Sequence, residues 1–109
     1  MNINSLSEDD LIKKSGDLVL CKRILEDTEK LLVDSGIKMS EPQRLSLVSH
    51  ISAMVYRSLN KEYIQELDKN LFNEVSRNSI ELATQVCSML DDLHEDEKYL
   101  LSIHFESAK

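Results

Sequence analysis

An all-α fold is what this sequence predicts, on three observations. Apolar residues recur with helical spacing along almost the whole chain. No segment sustains an apolar/polar alternation bounded by turn residues. Two boundary signals, Gly36 as a helix stop and Ser40-Glu41-Pro42-Gln43 as a helix start, punctuate the periodicity. At 109 residues the chain fits one domain with one modest core, a size at which self-association helps to hide apolar surface. With 30% charged and 41% apolar residues, one Pro and two Gly, the composition is that of a folded chain and not of a disordered one.

Residues 1–16 are polar and end on Ser15-Gly16, which reads as an N-terminal arm, loose or folded into a short docked helix, ahead of a single helical domain over 17–109. The first long helix is expected from about Asp17 to Ser35, with Leu18, Cys21, Leu25, Thr28 and Leu32 as its buried stripe and Gly36 as its stop. The second starts at Ser40, where an N-cap serine, a first-turn proline and a glutamine able to close a capping box coincide, and ends near Asn60. At 100° per residue its apolar sector holds Leu47, Val48, Ile51, Met54, Val55 and Leu59, with His50 at the border beside Gln43 and Arg57. Between Tyr63 and Leu93 two helical pieces are expected. One carries Ile64, Leu67, Leu71 and Val75, the other Ile80, Ala83, Val86, Cys87 and Leu90, with Asn78 and Glu81 as the cap between them. The last helix opens near Glu95 or Asp96, and its apolar residues from Tyr99 to Ala108 lie almost all round, the pattern of a buried helix.

Charge and cysteine usage exclude several function classes. The net charge is −7 with acids spread along the chain, so no basic stripe is available for a phosphate backbone and direct nucleic-acid binding is not expected. Lys13, Lys14, Lys22 and Arg23 form a local basic group that would suit an acidic protein partner. Cys21 and Cys87 sit in apolar settings without CxxC spacing, which argues for reduced, buried thiols and against a disulfide scaffold or a zinc site. The start MNINSLSEDD has acids where a signal peptide needs an apolar run, and no stretch approaches about 18 apolar residues, so no membrane span is expected and the expected location is cytoplasmic.

The chemistry-bearing residues are two histidines, each seven positions from a charged side chain: His50 with Arg57, and Glu97 with His104. Seven residues are about two helical turns, so each pair shares a face at roughly 10 Å along the axis. Imidazole titrates near 6.5, so at cytoplasmic pH a neutral ring offers a nucleophilic nitrogen that can take a phosphoryl group. Its charge of roughly −1.5 to −2 is favoured beside a guanidinium and disfavoured beside a carboxylate. Arg57 is therefore expected to support a charged product at His50, and Glu97 to accept the N–H of a neutral His104. Spacing alone is served equally by a plainer arrangement, in which His50 is a border residue and His104 a core histidine bonded to a backbone carbonyl. Asp91, Asp92, His94, Glu95 and Asp96 gather at a helix junction that reads as a solvated turn before a helix N-terminus and only weakly as a cation site. Ser49 beside His50 points about 100° away from it, with no oxyanion donors in view. Met39, Met54 and Met89 read as core or interface filler, and Tyr56 and Tyr63 suit a dimer seam. No catalytic constellation, metal site or cofactor site is read from the chain, and it is not expected to be an enzyme.

At these residues the sequence resembles the PTS regulation domain, or PRD, family. His50-Ile51 with Arg57 seven positions after the histidine, Ile80-Glu81-Leu82-Ala83, and Glu97 with Ile103-His104-Phe105 match its motifs in order and spacing over roughly residues 17–109. Ser49 stands where members of the family often have Asp. The resemblance implies a five-helix bundle-like module, dimeric, in which His50 and His104 are the phospho-acceptor candidates and Arg57, Glu97 and Ser49 support them. It implies phosphorylation by a phosphocarrier protein or a sugar-specific component of the sugar phosphotransferase system, with altered dimer packing or partner binding as the output. A second module and a nucleic-acid-binding domain do not fit this length, so a stand-alone module is expected. The competing reading is a helical assembly subunit that keeps the shape without the phosphotransfer.

Overall fold

The computed structural model describes residues 8–109, and these form five α-helices and one 3-10 turn. The helices are α1 (Glu8–Lys13), α2 (Leu18–Asp34), α3 (Glu41–Asn60), α4 (Arg77–Cys87) and α5 (Glu97–Ser107), with the 3-10 turn at Lys69–Phe72. Among the described residues there is no strand, so the all-α expectation holds. The expected arm at 1–16 lies outside the described residues up to Ser7. From Glu8 it is helix α1, which buries Ile12 and docks on α3, where the Ser52 hydroxyl donates to the Leu11 carbonyl at 2.5 Å. Arg44 of α3 ties this corner together by pairing with Glu8 of α1 and, at 2.8 Å through Nε, with Glu29 of α2.

The boundaries of α2 and α3 follow from local chemistry. Asp17 caps α2 by accepting the Leu20 N–H at 3.0 Å. At its end Gly36 turns left-handed at φ 69°, the Ile37 N–H reaches back to the Leu32 carbonyl at 2.9 Å, and Ile37 and Leu32 are both buried, the arrangement of a Schellman stop. The capping box of α3 is formed: the Gln43 N–H donates to Ser40 Oγ at 3.3 Å and the Ser40 N–H donates to Gln43 Oε1 at 2.9 Å.

The core is the inner faces of these helices: Cys21, Ile24, Leu25 and Leu32 of α2; Leu47, Val48, Ile51, Met54 and Val55 of α3; Leu82, Ala83 and Val86 of α4; Leu101 and Phe105 of α5. Thr28 shares this interior because its hydroxyl is satisfied by the Ile24 carbonyl at 2.7 Å. Leu18 and Leu59, expected in the stripes, end at 44% and 47% exposure. They sit at the N-terminal end of α2 and near the C-terminal end of α3.

Three expectations are corrected. The helical piece through Ile64, Leu67, Leu71 and Val75 is not formed. The chain runs without helix from Glu62 to Asp68 and then makes the short 3-10 turn, capped by Asp68. Its anchor is Phe72, buried against the Tyr99 ring at 5.4 Å, while Leu71 is 76% exposed. The Leu67 N–H, which a helix would have used internally, goes instead to the buried carboxylate of Asp96 at 3.0 Å. Second, α4 is capped by Ser76 and not by Asn78, because the Ser79 N–H finds Ser76 Oγ at 3.2 Å and Glu106 holds Ser76 in place from α5. Third, α5 is not buried all round: Leu101 and Phe105 are enclosed, but Ile103 is 43% exposed because α3 and α4 cover only part of its circumference.

Among the described residues no helix is long and apolar enough to cross a membrane. Cys21 and Cys87 are free thiols, Cys21 buried and Cys87 half-buried. Burial pushes both above the ordinary thiol range, Cys87 up to about 12 with help from the Glu97 carboxylate nearby.

Candidate functional site

Helices α3 and α5 lie side by side with opposite chain directions, and the two seven-residue spacings meet across their interface. His50 of α3 faces His104 of α5, ring centroids 4.8 Å apart and tilted by 47°. Two turns further along α3, Arg57 faces Glu97 of α5, donating through Nε at 2.7 Å and Nη2 at 2.8 Å to the two carboxylate oxygens. The structure thus pairs these residues differently from the in-helix partnerships expected from sequence. Within a helix, two turns leave a gap that side chains do not close by a direct hydrogen bond. Directly across an antiparallel neighbour the gap is closed in both places.

The electrostatics follow from burial. Glu97 is fully enclosed, and its carboxylate oxygens accept from the Arg57 guanidinium, with no hydrogen bond to His104. His50 is half-buried and its Nε2 is sealed from solvent without a hydrogen-bond partner among the described residues. Burial first, then the neighbouring His104 ring and Arg57, lower its pKa from 6.5 to about 4. Burial lowers His104 as well. Both rings are therefore neutral at neutral pH, and each then has one nitrogen lone pair not bound to a proton.

The rings differ in access. His104 lies on the wall of an open groove of about 320 Å³, whose other walls are Pro42, Gln43 and Ser46 from the first turns of α3 and Ile103 and Ser107 from α5. Gln43 fixes that groove with both ends of its amide: Oε1 closes the capping box, and Nε2 donates to the Ser107 carbonyl at 3.0 Å. Ser49 is exposed and points elsewhere, into a second groove of about 400 Å³ that also contains Lys14, Tyr56, Arg57 and Glu62. Of the basic group seen in sequence, Lys14 lines this second groove.

Sequence reasoning missed two polar clasps that hold α5. Glu106 Oε1 accepts from the Ser76 hydroxyl at 2.8 Å, the Ser79 hydroxyl at 2.7 Å and the Ser76 N–H at 3.2 Å, so a residue of α5 closes the N-terminus of α4. These bonds hold the Glu106 carboxyl down at about 2. Asp96, grouped in sequence with the acids before the last helix, is enclosed. It takes the Leu67 N–H, faces Lys69 at 3.8 Å, and its own N–H donates to His94 Nδ1 at 2.9 Å. Among the described residues no three or more His, Cys, Asp or Glu side chains converge as metal ligands. Neither clasp has a local signature, because each partner lies about thirty residues away in sequence.

Comparison with known proteins places the chain by family and fold. A curated relative, the BZIP-type transcription factor MBZ1 of Metarhizium robertsii, is 34% identical over 67 residues, which is 62% of this chain. The chain spans only 12% of that protein's length. The crystal structure of a PRD-containing transcription regulator from Lactobacillus casei superposes with a TM-score of 0.87 at 34% identity, covering 93% of this chain and 90% of that one. The PRD domain family profile matches residues 22–108, a span that contains all four residues of the paired site. By that match the chain belongs to the PRD domain family, whose modules are carried by transcription regulators and are typically controlled by the sugar phosphotransferase system.

Proposed function

We propose that this protein is a phosphorylation-responsive regulatory module of the sugar phosphotransferase system, taking a phosphoryl group on histidine and answering with a change in dimerisation or partner binding. The observation that carries the reading is the contact of His50 with His104, two neutral imidazoles of which the second opens to a groove. A neutral ring keeps a lone pair for attack on phosphorus, and an open groove admits the donor. Access favours His104 as the acceptor and His50 as the ring behind it. The Arg57–Glu97 pair then serves as the rigid footing of the site, not as a direct grip on the phosphate.

The donor on this reading is a phosphocarrier protein or a sugar-specific component of the same system. The proposed assembly is a cytoplasmic homodimer without direct nucleic-acid or membrane contact. Tyr56, Leu59 and Tyr63, all more than two-fifths exposed near the end of α3, supply apolar surface for a second copy. Incubation with a phosphorylated carrier protein and site mapping by mass spectrometry tests the proposal. An acid-labile adduct that disappears in His104→Ala, with a shift in sedimentation on phosphorylation, supports it. No incorporation in the parent, with His104→Ala and His50→Ala indistinguishable from it, leaves the non-phosphorylated helical assembly subunit.

A further inference from the structure

The groove beside His104 holds an imidazole together with two hydroxyls, and no carboxylate is among its lining residues. Ser46 enters from α3, one turn before His50, and Ser107 from α5, one turn after His104. Both are exposed, and neither hydroxyl has a hydrogen-bond partner among the described residues, as is also true of the exposed Ser35 and Ser49, so both hydroxyls of the groove are open to a ligand. The Gln43 strap holds the two walls together by tying the start of α3 to the Ser107 carbonyl at 3.0 Å. In contrast, the Ser49 groove contains the carboxylate of Glu62, and its guanidinium is already committed to Glu97.

We propose that Ser46 and Ser107 are positioning residues that form a neutral cradle for the phosphoryl group on His104, their hydroxyls donating to its terminal oxygens. The inference rests on the phospho-acceptor reading and assigns to that site the groups that orient the transferred phosphate. In the transfer, the unprotonated nitrogen of His104 uses its lone pair to form a new N–P bond. The P–N bond of the donor phosphoramide breaks, the leaving nitrogen keeps that electron pair, and each imidazole retains the N–H on its other nitrogen, so a phosphoryl group moves with no redox change. A cradle of hydroxyls stabilises a dianion by hydrogen bonds without the fixed counter-charge that would trap it, which suits a reversible signal.

The test uses the full chain and two donors, a phosphorylated carrier protein and phosphoramidate. It compares the parent with Ser46→Ala, Ser107→Ala, the double variant, Ser46→Thr and Ser107→Thr. Alanine is a better helix former than serine at these helical positions, so the variants are expected to fold, and circular dichroism checks it. The expected result is an adduct at His104 in the parent, hydrolysed about five- to tenfold faster in each Ser→Ala variant and near the parent rate in the Ser→Thr variants. Because small-molecule phosphoramidate needs no docking surface, the same order with both donors assigns the effect to the phosphoryl group. Equal adduct lifetimes in parent and double variant overturn the cradle while leaving the acceptor reading intact. An adduct confined to His50, or none in the parent with either donor, overturns both.

Discussion

Arg57 and Glu97 form a sealed ionic contact: two hydrogen bonds of 2.7 and 2.8 Å between α3 and α5, with the carboxylate wholly enclosed. A buried pair of this kind sets geometry more than it adds stability, since desolvation offsets much of the attraction. Removing one partner is another matter. Arg57→Ala is expected to lower unfolding free energy by about 3–5 kcal/mol in urea titrations, because it leaves a buried uncompensated charge. The double variant Arg57→Met/Glu97→Leu should recover most of that loss. If Arg57→Ala and the double variant are equally destabilised, the contact acts through packing alone.

The depressed histidines make stability depend on pH with a defined sign. His50 is held neutral down to about 4 in the folded state, against 6.5 in the unfolded chain. Below 6.5 the unfolded state binds a proton that the folded state refuses, so stability falls as pH drops from about 6.5 to about 4 and then levels off with respect to this group. The loss is expected to be about 3 kcal/mol, with His104 adding in the same direction. His50→Phe should flatten the profile across that window in denaturant titrations. An unchanged slope would mean that the ring is open to solvent.

Glu106 acts in a lower window. Its carboxyl stands at about 2 when bonded to Ser79 and Ser76, against 4.5 unperturbed, so its contribution is complete above 4.5 and is lost as pH falls from there through 2. Glu106→Gln, with one acceptor oxygen and no charge, is expected to loosen the start of α4. Amide hydrogen exchange should show faster exchange at Ser79 and Ile80 with little change in α2. Uniform protection across α4 would assign the cap to Ser76 alone.

The capping box at the start of α3 gives a local check. Ser40→Ala is expected to cost about 1 kcal/mol, and Ser40→Gly less. Since Gln43 also carries the strap to Ser107, Gln43→Ala should cost more than Ser40→Ala in thermal melts and also quicken exchange at the end of α5. Equal effects would reduce Gln43 to a cap.

How much of this was legible in sequence depends on how far apart the interacting residues lie. The start of α3 and the stop of α2 were readable because Ser40, Gln43 and Gly36 act within one turn of themselves. The helical stripes on α2 and α3 were readable except at their ends, where Leu18 and Leu59 emerge. The residues around Leu67 were misread as helix because periodic apolar spacing says nothing about Asp96 competing for the Leu67 N–H. The cap of α4 was misplaced for the same reason, its decisive partner being Glu106. Likewise the residues His50, Arg57, Glu97 and His104 could be picked out by spacing and family resemblance. Their pairing could not, because it is a property of which helix lies opposite and in which direction it runs.

That opposed arrangement restricts how the two helices can move. A slide of α5 along α3 by one turn, about 5.4 Å, would break the ring contact and the ion pair simultaneously, leaving a buried carboxylate without its cation. Ratchet-like slippage is thereby penalised at two independent points. A splay that pivots about the Arg57–Glu97 end gives up the ring contact and the Gln43–Ser107 hydrogen bond but keeps the buried ion pair, so a rearrangement of this interface is expected to be a hinge opening from the Gln43 side.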